Sequence, residues 1–101
     1  LPIYNYHLDI SLSDISRHCG VSEVYFSRVF KDAMGLPFTK YLNTYRVRIA
    51  SHLLLQSNDS LKKIAEKSGF QSYNYFLTVF KNYMGVTPVQ YREKTMDTPA
   101  D

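Results

Sequence analysis

The sequence predicts an all-α chain of about seven helices, arranged as two helix-turn-helix units joined by a long connecting helix. Three observations carry this. Residues 25–35, YFSRVFKDAMG, return almost unchanged at residues 75–85 as YFLTVFKNYMG. Apolar residues recur every three or four positions through both copies and through the segment between them. Each copy is punctuated at matching places by serine and glycine, the residues that start and stop helices.

The repeat is longer than those stretches. Residues 11–41 align with 60–91, with matches at Ser11/Ser60, Leu12/Leu61, Ile15/Ile64, Gly20/Gly69 and Ser22/Ser72, and from Tyr25/Tyr75 on to Tyr41/Tyr91. The offset is 49 before the inner glycine and 50 after it, because GVS in copy one becomes GFQS in copy two. Turns tolerate such insertions, and two copies are too few for a solenoid.

Residues 1–8, LPIYNYHL, are expected to form a short helix packing on copy one. Ser11 with Asp14 reads as a capping box, and Leu12, Ile15 and Cys19 then share a face with Cys19 buried. Gly20 ends that helix, and Ser22 caps a second one reaching about Met34, closed by Gly35. Pro37 opens the connecting helix, on which Phe38, Leu42, Tyr45, Ile49 and Leu53 recur at helical spacing until Ser57-Asn58-Asp59 breaks it. Copy two repeats the pattern as SLKKIAEKSG, a turn, and a helix from Ser72 to about Met84. Thr87-Pro88-Val89-Gln90 starts a last short helix through Tyr91 and Arg92, and a polar tail follows from Thr95. The expected division is a first unit over 1–36, the connecting helix over 37–57, a second unit over 58–94 and a flexible tail over 95–101.

Composition narrows the function. A formal charge of +3 and a pI of about 9.0 permit a nucleic-acid partner without requiring one. One cysteine allows no intrachain disulfide and suits a reducing cytosol. The apolar runs, such as Leu53-Leu54-Leu55, are too short to span a membrane, and no signal peptide is visible. A chain starting at Leu1 is expected to be a fragment of a longer one. His7, His18 and His52 are scattered and Cys19 has no partner at metal spacing, so no metal or other cofactor is expected. Nothing resembles a nucleophile elbow or a phosphate loop, and no enzyme is expected.

The second helix of each unit has two faces. Phe26, Val29, Phe30 and Ala33, and their counterparts Phe76, Val79, Phe80 and Tyr83, follow the core pattern. The sets Val24, Ser27, Arg28, Lys31 and Asn74, Leu77, Thr78, Lys81 are shifted by two residues, about 200° around the helix, and point outward. The core sets nearly coincide, whereas the outward sets share only the lysine. One scaffold thus displays two surfaces. Arg28 suits guanine, Asn74 suits adenine, and Val24 and Leu77 suit thymine methyls, with Ser27 and Thr78 as adaptable partners. Gln71, Ser72 and Tyr73 stand at the start of the second unit's outward helix near a backbone or base edge, Ser22 and Ser72 with the helix-start amides suit phosphate, and Lys31 and Lys81 are placed for phosphate. Arg46 and Arg48 on the connecting helix are expected to serve either packing between the units or backbone contact.

The run IAEKSGFQSYNYFLTVFKNYMGVTPVQYR resembles the signature region of AraC/XylS-type bacterial transcription regulators, with GF, YF, FK, MG, TP and YR in place. Arg46, Ala50, Leu53 and Leu54 match as well, and the resemblance covers roughly residues 9–93. It implies a seven-helix DNA-binding domain, C-terminal to a separate sensing or dimerising domain, in the bacterial cytoplasm, with double-stranded DNA and RNA polymerase as partners. It places base-reading positions at Val24, Ser27 and Arg28, and at Tyr73, Asn74, Leu77 and Thr78. Thr78 departs from the arginine that related domains often carry there. The alternative from another class is a helical protein-docking module without sequence-specific DNA binding. A further rival is lysine-driven DNA binding without sequence preference.

Overall fold

A computed structural model describes residues 10–97, with side chains to residue 93. Six helices fill that span, and no strand occurs among the described residues: α1 (Leu12–Cys19), α2 (Glu23–Met34), α3 (Phe38–Gln56), α4 (Leu61–Lys67), α5 (Tyr73–Met84) and α6 (Pro88–Asp97). The helix expected over residues 1–8 lies outside the described residues.

Local chemistry sets the helix ends. The Asp14 N–H donates to Ser11 Oγ at 3.1 Å and the Ser11 N–H to Asp14 Oδ2 at 3.2 Å, a complete capping box. Thr87 and Gln90 exchange the same reciprocal pair at 2.9 and 3.1 Å. Ser22, Ser60 and Ser72 each accept from the N–H three residues on. Gly35 and Gly85 close α2 and α5 with φ of 83° and 80°, a left-handed conformation that side chains rarely adopt. No breaker stands between Gln90 and Asp97, so α6 continues three residues into the stretch expected as tail.

The two units bury the same residues unequally. In the second unit Ile64, Phe76 and Phe80 are fully buried, and Val79 and Ser68 nearly or wholly so. Their first-unit counterparts Ile15, Phe26 and Phe30 are only half-buried, Val29 is 46% exposed, and α2 has no buried residue. The two units meet different parts of α3. Val47, Ala50 and Leu54, on its second half, join Ile64, Ala65, Phe70, Phe76, Val79 and Phe80 in one apolar cluster. On its first half Phe38 meets Phe26 and Phe30 edge-on at 5.4 and 5.1 Å, and Tyr41 meets Phe30 at 5.2 Å. By the repeat offset of 49, the counterpart of Leu54 falls at residue 5, outside the described residues.

This corrects several expectations. Cys19 is exposed while its counterpart Ser68 is fully buried, the same inequality that separates Phe26 from Phe76. Val29 and Ala33 are exposed, whereas Val79, the counterpart of Val29, is buried. Tyr83 is 40% exposed, lying over the side of α3 with its hydroxyl donating to the Lys40 carbonyl at 3.4 Å.

Arg92 closes the second unit. Its guanidinium donates to the carbonyls of Leu54, Ser57 and Asp59 at 3.0, 3.2 and 3.1 Å, fastening α6 to the end of α3 and the loop beyond it. Lys67 meets Asp59 on that loop at 2.7 Å, and the hydrogen bond from Lys67 holds the Asp59 carboxyl below its ordinary value.

Candidate nucleic-acid interface

The candidate surface is built from α2 and α5, each the second helix of its unit. Both are 12 residues long, start at a serine cap and end at a left-handed glycine. Their outward faces follow from where the aromatic faces go: with Phe26 and Phe30 turned toward α3, and Phe76 and Phe80 into the core, the residues two positions away meet solvent.

On α2, Val24 is 69% exposed, Arg28 and Lys31 are exposed, and Ser27 is half-buried. An exposed valine at the start of a helix is unexplained by packing. On α5, Asn74, Thr78 and Lys81 are exposed. Leu77 and Tyr73 are half-buried and pack against the core cluster, Tyr73 with its ring 6.3 Å from that of Phe76. Their exposed edges therefore have fixed positions. The Thr78 hydroxyl donates to the Asn74 carbonyl at 3.1 Å, which leaves its oxygen as an acceptor toward solvent. Gln71, Ser22 and Ser72 are exposed beside the helix starts. The serine oxygens are engaged as caps, and their hydroxyl protons are free to donate outward.

The structure thus puts Asn74, Leu77, Thr78 and Lys81 on one face of α5, and Val24, Ser27, Arg28 and Lys31 on one face of α2. Of the two arginines on α3, Arg48 is exposed beside the Tyr45 ring, whereas Arg46 is buried between the units. Three residues were missed by periodicity. Arg92 acts as a clamp, and Asn43 and Tyr75 hydrogen-bond to each other across 32 residues of chain. One signal did point at Tyr75. Tyr25 and Tyr75 match in the repeat yet belong to neither the core nor the outward set.

Among the described residues no group of three or more His, Cys, Asp or Glu is placed to hold a metal ion, and no helix is long and apolar enough to cross a membrane.

A family model described as a helix-turn-helix domain matches residues 15–94. The chain belongs to the AraC/XylS-type helix-turn-helix family. Its AraC-type fold superposes on the C-terminal domain of AraT, a response regulator from Geobacillus stearothermophilus, with a TM-score of 0.84 and 34% identity, covering 98% of this chain and 83% of that one. It superposes on the DNA-binding domain of AdpA, a global transcriptional factor whose structure contains a target DNA, with a TM-score of 0.81 and 26% identity, covering 91% and 83%. An uncharacterised helix-turn-helix-type transcriptional regulator of Staphylococcus aureus (strain MSSA476) is 36% identical over 88 residues. Those residues are 87% of the AraC-type chain but 12% of that relative's length.

Proposed function

We propose that this AraC-type domain binds double-stranded DNA with sequence preference, α2 and α5 entering successive major grooves of an asymmetric, bipartite site. The observation that carries the reading is the split between faces. The two units turn like aromatic faces inward and present unlike ones: Val24, Ser27 and Arg28 on α2, and Asn74, Leu77 and Thr78 on α5, with Tyr73 beside them. The 19-residue α3 is about 28 Å long, and successive major-groove faces of straight B-DNA lie about 34 Å apart. The molecule's 50 Å long axis exceeds that spacing. Two different readers in one chain call for no twofold palindrome. Lys31, Lys81, Gln71, Ser22 and Ser72 would hold the backbone and fix the register. The DNA-bound AdpA domain of the same fold supports the reading.

As a piece of a longer bacterial regulator in the cytoplasm, the domain would deliver a sensing domain's signal to a promoter and to RNA polymerase.

Titration of the chain against a random-sequence duplex at rising salt separates this from a protein-docking module. The expected result is binding that weakens linearly in log Kd against log salt, with Lys81→Ala lowering the slope by about 0.9 and weakening all sequences alike. A folded chain that binds no duplex at low salt would favour the docking module.

A further inference from the structure

The connecting helix carries three successive sets of contacts. Residues Phe38 and Tyr41 serve the first unit, and Val47, Ala50 and Leu54 serve the second. Between them, Asn43 and Arg46 are buried polar residues, 5% and 8% exposed. Arg46 Nη2 donates to the carbonyl of Ile10, the residue leading into α1, at 3.0 Å. Arg46 Nη1 donates to Asn43 Oδ1 at 3.4 Å, and Asn43 Nδ2 donates to the Tyr75 hydroxyl oxygen on α5 at 2.9 Å. The Arg46 guanidinium also lies 6.0 Å from the ring of Phe70, in the turn of the second unit, and Phe70 meets Tyr75 edge-on at 6.2 Å.

A hydrogen-bonded relay therefore runs from the entrance of the first unit, through α3, to the second recognition helix. Burying an arginine between units is costly, and apolar residues of the same volume would pack there at least as stably. What the polar set adds is direction. Apolar packing tolerates small rotations of one helix on another, whereas a buried hydrogen bond tolerates few. Asn43 is the pivot, because its amide fixes both neighbours at once.

We propose that Arg46, Asn43 and Tyr75 are positioning residues that set the angle between α2 and α5, and so the separation at which the two blocks of a DNA site are read. The DNA part rests on the proposed function; the angular part does not.

Two readouts keep them apart. Spin labels at Asp32→Cys and Asn82→Cys, both exposed and one on each recognition helix, in a Cys19→Ser background, report the distance between the units without DNA. The expected result is one narrow distance distribution that broadens in Tyr75→Phe, which keeps the ring on Phe70, and in Asn43→Leu. Asn43→Asp accepts from both Arg46 and the Tyr75 hydroxyl and should restore the narrow distribution. On duplexes carrying the two preferred blocks at graded spacings, Tyr75→Phe should flatten the preference for the best spacing by about fivefold, the effect of one hydrogen bond, while each block alone is bound as before. An unchanged distribution in both variants, with thermal melts showing them folded, would overturn the proposal. A broadened distribution with an unchanged spacing profile would overturn its DNA part alone. A wild-type chain indifferent to spacing would count against two-block reading itself.

Discussion

Arg28→Ala and Asn74→Ala are each expected to relax sequence discrimination by about 1–3 kcal/mol, roughly 5- to 150-fold, without loss of fold. Both side chains are exposed on the outward faces of their helices, so truncating them opens no cavity. Each is the residue on its face able to make two hydrogen bonds to a single base edge, Arg28 to guanine and Asn74 to adenine. Losing one should therefore erase preference at one block and leave the other block intact. The measurement is competition between a preferred duplex and duplexes substituted in one block at a time. Arg28→Ala should equalise affinities across one block, and Asn74→Ala across the other. A uniform loss over all duplexes would assign these residues to backbone grip, the role proposed for Lys81.

The second large effect concerns stability and comes from the repeat. Phe76→Ala is expected to cost about 3–5 kcal/mol, the range for emptying a fully buried phenylalanine site. Phe76 has no exposed surface and touches the rings of Phe70, Tyr73 and Phe80. Domains of this size are stable by only about 5–15 kcal/mol, so the loss would bring the second unit near unfolding. Phe26→Ala, the same substitution at the matching position, should cost no more than about half as much, because Phe26 is only half-buried. Urea melts of the two variants, followed by far-ultraviolet circular dichroism, make the comparison. Equal losses would mean that the first unit is as tightly packed as the second.

That contrast also marks where sequence reading stops. Helix starts, glycine stops and the long connecting helix were legible because their causes lie within a few residues, as with Ser11 and Asp14 or Thr87 and Gln90. The outward faces were legible because helical period alone assigns them. Unequal burial of Phe26 and Phe76 was not legible, since the repeated residues around them are nearly identical. The bond from Asn43 to Tyr75 and the reach of Arg92 to three carbonyls were equally hidden, because their partners stand 32 to 38 residues away. The exposure of Cys19 went against its apolar spacing, and its buried counterpart Ser68 shows that position along a short helix does not decide it. For the site, residue type and face were readable. On the proposed function, which side chain would meet which base depends on the docking angle, and residue types and faces do not give that angle.

The central claim is that one chain carries two different readers. Selection of bound duplexes from a random pool of about 30 base pairs, long enough for two major-groove turns with flanks, tests it most directly. The predicted result is enrichment of an asymmetric motif with two unlike blocks about one helical turn apart. Enrichment of a single block, or of a palindrome, or no enrichment by a folded chain, would contradict it.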